Sequence, residues 1–368
     1  MRHDTRAKRS AYLIATILLV LAGLYFAAAF LIPVVLAALL AMLLNGPSDR
    51  LEKAGLNRGL ASFIPVLLLV GVVALLGIIL ASQVNRLADD FEEMRAGVIA
   101  NMSAFREWIS NTLGIGADEQ EKMIKEQKNG AIGQTDNLLF GFISTLMGLV
   151  VNTLLIVVYT FLLLFYRSHL KKFALRIVPA DNRQNTDQII DKSVAVSGRY
   201  LTGLFGMISI LWVMYSIGFC IVGLKGAIFF AILCGVLEIV PFFGNFVGNL
   251  IAVFAVLAQG GDGSMVLGIV AVYLVVQFLQ SYVLEPLVVG QQVNINPLFT
   301  IMGLAAGELL WGIAGMALAI PVIGIVKIVC ENIPGLQAYG MLIGPADTKK
   351  RKDRTSLLRT VKNKFQRK

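Results

Sequence analysis

Residues 226–258 read GAIFFAILCGVLEIVPFFGNFVGNLIAVFAVLA, and in these 33 residues Glu238 is the sole charged side chain. The sequence EIVPFFGNFVG, Glu238 to Gly248, breaks this apolar run near its centre. As one unbroken helix the run would extend about 50 Å at about 1.5 Å per residue, against a hydrocarbon core of about 30 Å. Pro241 removes an amide donor and disfavours helix at Val240, while Gly244 and Gly248 let the chain turn. The run is therefore expected to be a broken or re-entrant segment, with a hairpin favoured by its length. A carboxylate at that depth costs roughly 2.5–3.5 kcal/mol on insertion scales, so Glu238 needs a partner, a proton or a water-filled cavity. Irregular backbone at membrane depth also needs its polar groups satisfied, and Asn245 and Asn249 offer amides for that role.

The arrangement recurs downstream. Phe299 to Val326 is a 28-residue apolar run whose single charge is Glu308, loosened by Gly303, Gly307, Gly312 and Gly315. Two glycine-interrupted apolar segments, each holding an acid, read as a pathway through a membrane, because broken helices around a midplane site are a device of secondary transporters. Glu308 sits in a stretch, TIMGLAAGELLWGIAG, that equally suits close helix packing. Glu285, just before Pro286, lies near a predicted boundary, where a helix-capping and a functional role are both open.

Composition sets the class independently. The chain is 57% hydrophobic and 15% charged with mean hydropathy +0.76, whereas charged residues alone make up about 25% of a soluble domain. An all-α integral membrane protein follows. Spanning helices are expected at Ala11–Leu31, from Pro33 to Leu44 with an end at NGPSD (Asn45–Asp49), at Leu60–Ser82, at Leu138–Tyr166, at residues 201–224 and at Met265–Val283. With the two broken runs, the total is six crossings plus two hairpins, or eight crossings. Pro179 opens PADNRQNTDQII, read as a turn followed by an amphipathic helix along the membrane surface or linking two bundles. Residues 83–136 carry six basic and ten acidic side chains. Their apolar stripe of Val84, Leu87, Phe91, Met94, Val98, Met102, Phe105 and Ile109 recurs every three or four residues, which predicts an extramembrane amphipathic helical arm. The expected organisation is thus residues 1–82 with the first three spans, the arm at 83–136, a span and cytoplasmic helix over 137–200, a transmembrane core over 201–335 and a basic tail over 336–368.

The net charge of +9 resides in the tails. Residues 1–10 carry +3 and residues 347–368 carry +8, so the body between them is slightly acidic. Basic juxtamembrane tails are expected in the cytoplasm, where they meet anionic membrane lipids. Nucleic acid is not an expected partner, since no folded reading element accompanies the tail. Cys220, Cys234 and Cys330 have no spacing suited to a disulfide framework or a zinc site and are expected to be reduced core residues. The two histidines, His3 and His169, sit outside the apolar runs. Without an intramembrane histidine, paired intramembrane aspartates, an HExxH or a Walker GxxxxGK[ST] sequence, an enzyme is not expected, and no cofactor or metal is implied.

Three motifs in order, EIVPFFGNFVG, YVLEPLVVGQQVNINPLFTI (282–301) and GLAAGELLWGIAGMALAIPVIGIVK (303–327), resemble the autoinducer-2 exporter family of permeases over nearly the whole chain. The resemblance implies a homo-oligomeric bacterial inner-membrane transporter, linked to export of the furanosyl signal autoinducer-2 in quorum sensing or, in some members, to sodium/proton exchange. By motif position it places Glu238, Pro241 and Gly244 in the first break, Glu285, Pro286 and Gly290 in the second motif, and Gly312, Gly315 and Pro321 in the third. The expected function is a secondary transporter that moves a small polar solute, coupled to protons through Glu238. The alternatives are a Na⁺/H⁺ antiporter or channel, with Glu238, Glu285 and Asn245 as oxygen ligands, and a non-transporting scaffold that recruits partners through the arm.

Overall fold

The computed structural model describes residues 2–89, 152–240, 243–289 and 294–345, and no strand occurs among them. Most of the predicted arm, the start of the fourth span, Pro241, Gly290 and the C-terminal basic tail lie outside the described residues. The helices are α1 (Arg2–Phe26), α2 (Ala28–Lys53), α3 (Arg58–Asp89), α4 (Asn152–Phe165), α5 (Arg167–Ile177), α6 (Arg183–Val222), α7 (Ala227–Leu237), α8 (Phe243–Ala258), α9 (Gly263–Leu279), α10 (Pro297–Asn332) and α11 (Gln337–Ile343). Five stretches among the described residues are long and apolar enough to cross a membrane: Ala28–Lys53, Arg58–Ser82, Ala180–Val222, Gly263–Glu285 and Pro297–Asn332. The chain is an all-α, multi-pass membrane protein.

Three boundaries differ from the sequence expectation. The first break falls at Ala27 rather than before Pro33, and α2 continues through Asn45–Asp49 to Lys53. A proline deletes a single helical hydrogen bond, and the polar pentapeptide stays helical with Asn45 Nδ2 donating to Asp49 Oδ2 at 3.2 Å, one turn away. The amphipathic stretch after Pro179 and the fifth span form one helix of 40 residues, α6. Isolated glycines such as Gly198 weaken a helix by about 1 kcal/mol without ending it. Cys220 is exposed on α6 instead of lying in the core, whereas Cys234 is buried; all three cysteines are free.

The contacts divide the chain into two compact units, one of residues 1–35, 166–200 and 291–368, the other of residues 36–165 and 201–290. In the second unit, Leu211, Tyr215 and Phe219 recur every four residues on one face of α6 and are buried against Phe230, Ala231 and Cys234 of α7 and Ala252 and Val256 of α8. Their neighbours Val213, Ile217 and Ile221 point outward. A membrane offers little hydrophobic reward for such burial, so close contact decides the packing. At Gly218 an added Cβ would run into Val272 of α9, and at Gly268 it would sit 3.0 Å from Val222.

The 226–258 run is a hairpin. Gly248 of α8 lies against Cys234 of α7, where a Cβ would stand 3.0 Å from the Cys234 Cα. At the open end, Lys225 N donates to Gln259 Oε1 at 2.9 Å and Gln259 Nε2 donates back to the Lys225 carbonyl at 3.0 Å. Residues 34 positions apart thus meet, so the chain leaves where it entered. The loop that follows caps α9: Asp262 Oδ1 accepts from Met265 N at 3.0 Å and from Ser264 Oγ at 2.7 Å. The Ser264 hydroxyl first, then the Met265 amide, holds the Asp262 carboxyl below its ordinary pKa. A depressed carboxylate pKa adds stability that is present above the unfolded value of about 3.9 and disappears as pH falls through the folded value. Asp262→Ala should therefore lower the melting temperature at neutral pH, and the gap to the native chain should close on acidification below about pH 4. A gap that stays constant across that titration would mean that the Asp262 carboxylate contributes nothing as a cap.

The first unit contains the second hairpin. Trp311 (φ −137°, ψ 17°) and Gly312 (φ 58°, ψ −141°) interrupt α10, and the positive φ at Gly312 suits glycine alone. The two arms then pack so closely that a Cβ at Gly307 would strike the Gly315 carbonyl, and one at Gly315 the Gly307 carbonyl. Gly303 lies likewise on Ile323. Asn296 caps the first arm, Oδ1 to Leu298 N at 3.0 Å, with Pro297 following at the first helical position. Trp311 Nε1 donates at 2.9 Å to the Leu24 carbonyl near the end of α1, one of the acceptors that a helix end leaves open. At the far end, Asn185 Nδ2 donates to the Asn332 carbonyl at 2.7 Å and Lys192 Nζ to Asn332 Oδ1 at 3.1 Å, tying α6 to α10.

Candidate functional site

Among the described residues of the break between α7 and α8, backbone amides stay bonded within the chain's own turn. Ile239 N donates to the Val236 carbonyl, Val240 N to Leu237 and Gly244 N to Val240. The turn can be this tight because position 244 is glycine, where a Cβ would land on the Leu237 carbonyl oxygen. The backbone being served locally, the Asn245 amide is free for another role, which corrects the expectation that it repairs the broken helix.

Asn245 is instead the branch point of a polar network. The Tyr215 hydroxyl of α6 donates to Asn245 Oδ1 at 2.8 Å. Asn245 Nδ2 donates to Gln277 Oε1 and, at 3.2 Å, to Gln280 Oε1. Gln280 Nε2 in turn donates to Glu238 Oε1 at 2.6 Å, while Gln277 Nε2 donates to Ser281 Oγ at 3.2 Å. Tyr215 and Gln280 are each 2% exposed, Asn245 5% and Glu238 7%, so the branch from Tyr215 to Glu238 runs inside the protein, while the Gln277–Ser281 branch is partly buried. Each amide accepts on one side and donates on the other, and one branch ends on the carboxylate. Such chains strengthen in a low dielectric and make each missing member expensive. One turn further along α8, Asn249 Oδ1 is buried with no hydrogen-bond partner among the described residues.

Four helices and an irregular stretch position these groups. Trp212 Nε1 donates to the Ile232 carbonyl at 3.1 Å and the indole lies over Gly235, so α6 grips α7 one turn from where Tyr215 grips α8. After α9 the chain widens into π-type turns over Gln280–Val289, a rare geometry that often marks functional sites. Gln280 is its first residue. Glu285 lies in the same turns, exposed but within electrostatic reach of Glu238, and caps no helix start. Pro286 occupies the π-type turns too.

Of the residues singled out from sequence, Glu238, Gly244, Asn245, Asn249 and Glu285 belong to one compact unit, and Glu308, Gly312 and Gly315 to the other. Glu308 is exposed on the first arm of α10, three residues before the Trp311 break. Gly312 forms that reversal and Gly315 the close approach of the arms. Sequence reasoning missed Tyr215, Gln277, Gln280 and Ser281. A signal for three of them was present, since two glutamines three apart and a serine close an otherwise apolar helix; nothing distinguished Tyr215 from other membrane tyrosines.

Residues 14–335 match the family described as AI-2E family transporter. YueF of Bacillus subtilis, named as a transport protein, is 26% identical over 321 residues, covering 84% of this chain and 85% of YueF. PerM of Escherichia coli K12, named as a permease, is 25% identical over 329 residues, 87% of this chain and 93% of PerM. YhhT of the same strain, also named as a transport protein, is 24% identical over 349 residues, 92% of this chain and 95% of YhhT. With two broken hairpins, a buried acid at the turn of one of them and a family match across most of its length, the chain belongs to the AI-2E family of transporters.

Proposed function

We propose that this protein is a secondary transporter of a bacterial inner membrane, with both termini cytoplasmic, which exports a small polar solute and uses Glu238 to carry a proton. The observation that supports this most is the buried chain from Tyr215 through Asn245 and Gln280 to Glu238. A carboxylate at membrane depth must be neutralised by hydrogen bonds, a cation or a proton, and one beside a helix break sits where transporters keep their sites. The second oxygen of Glu238, the spare amide hydrogens of Gln277 and Gln280 and the Asn249 acceptor can meet a solute rich in hydroxyl groups. Autoinducer-2 is the first solute to test, on the strength of the family's description. The functional form is a homo-oligomer.

In proteoliposomes with an entrapped pH dye, autoinducer-2 should elicit proton movement through the native chain. Glu238→Gln keeps the shape and a hydrogen-bonding oxygen but cannot ionise, so its transport should become slow and independent of pH. Full rate with an unchanged pH profile in that variant would sink proton carriage by Glu238. Alkalinisation of acid-loaded vesicles by Na⁺, with no response to the solute, would replace export with ion exchange.

A further inference from the structure

The chain reaches α5 straight after the apolar α4, with Tyr166 (φ −88°, ψ 7°) as the interruption. None of the eleven residues of α5 is buried, yet the helix has three distinct faces. One is fastened to the protein: Lys171 Nζ bonds Asp191 Oδ1 at 2.6 Å and Asp187 Oδ1 at 2.9 Å, on successive turns of α6. Partial burial pulls the Lys171 ammonium down in pKa, but the two aspartates outweigh it and raise it above its ordinary value. The clasp is therefore charged at neutral pH and fixes the rotation of α5. With that rotation set, Leu170, Phe173 and Ile177 form an outward stripe, Phe173 being 60% and Ile177 67% exposed. Lys172 and Arg176, four apart, form a second outward face and have no ion-pair partner among the described residues.

Neither water nor hydrocarbon suits such a helix. Water would leave Phe173 and Ile177 uncovered, and hydrocarbon would strand Lys172 and Arg176 without counter-charge. The boundary between them satisfies both, with the apolar stripe among acyl chains and the cations at headgroup level. We propose that α5 lies in the membrane interface and binds the phosphate of an anionic phospholipid through Lys172 and Arg176. The proposal is independent of what the protein transports.

Native mass spectrometry of the purified full chain, titrated with phosphatidylglycerol or phosphatidylcholine, tests it. The native chain should bind phosphatidylglycerol more tightly, and the double variant Lys172→Gln/Arg176→Gln should lose roughly ten- to thirtyfold of that affinity with phosphatidylcholine binding unchanged. Charge-retaining Lys172→Arg/Arg176→Lys should keep it. On the native chain alone, added salt should weaken phosphatidylglycerol and spare phosphatidylcholine, and glycerol phosphate, lacking acyl chains, should not compete. Equal affinity in the native and glutamine variants, equal affinity of the native chain for both lipids, or full competition by glycerol phosphate would each overturn the proposal.

Discussion

Gly244→Ala should destabilise the second unit by about 1–3 kcal/mol or more, read as a large fall in the melting temperature of the purified protein. The new methyl group would fall on the Leu237 carbonyl oxygen, a backbone atom with no rotamer to swing aside. Relief requires the α7–α8 turn to open, which would also pull Asn245, the next residue, away from Tyr215 and Gln280. Stability and transport should therefore drop together. Gly71→Ala in α3 is the control. A Cβ there meets nothing within 4 Å, and alanine in a helix interior is favoured over glycine by roughly 0.5–1 kcal/mol. If the two substitutions behaved alike, the tight turn would not be what holds the hairpin shut.

Gln280→Leu is expected to have the second large effect. Leucine fills similar space but removes the donor to Glu238 Oε1 and an acceptor for Asn245 Nδ2. Leaving such groups buried and unsatisfied costs about 1–3 kcal/mol, toward the lower end in a membrane, where measured polar couplings reach about 1.7 kcal/mol. A double-mutant cycle separates this from lost packing. Glu238→Leu/Gln280→Leu removes both ends of the bond, so it should cost less than the two single substitutions added together. Simple additivity would mean that the bond contributes nothing. Transport should fall further in Gln280→Leu than its residual folded fraction explains, because the carboxylate would keep its place in the chain but lose its orientation.

Much of the architecture was legible without coordinates, and the reasons are local. The lone acid in 33 apolar residues, the length too great for one crossing and the Pro241–Gly244 pair already announced a break in the run that the structure folds into a hairpin. Asn296 before Pro297, not singled out from the sequence, proves in the structure to cap the first arm of α10. Signals of termination were less dependable. Asn45–Asp49 has the composition of a turn, yet its polar atoms pair along the helix and α2 runs on. The turn chemistry of residues 179–182 was real, but the helix after it had no reason to stop until Val222.

The candidate site divides in the same way. Sequence alone determined that this is a helical membrane protein, that Glu238 is a charge needing compensation, and that glycines near residues 244 and 312 would let two apolar runs turn. These follow from composition, chain length and backbone sterics, all properties of neighbouring residues. Tertiary structure alone decided who compensates Glu238. Gln280 lies 42 positions away and Tyr215 reaches Asn245 across 30, and such meetings depend on how α6, α8 and α9 pack. That packing rests on small residues such as Gly218 and Gly268, whose value is the backbone approach they allow to a partner that local sequence cannot name.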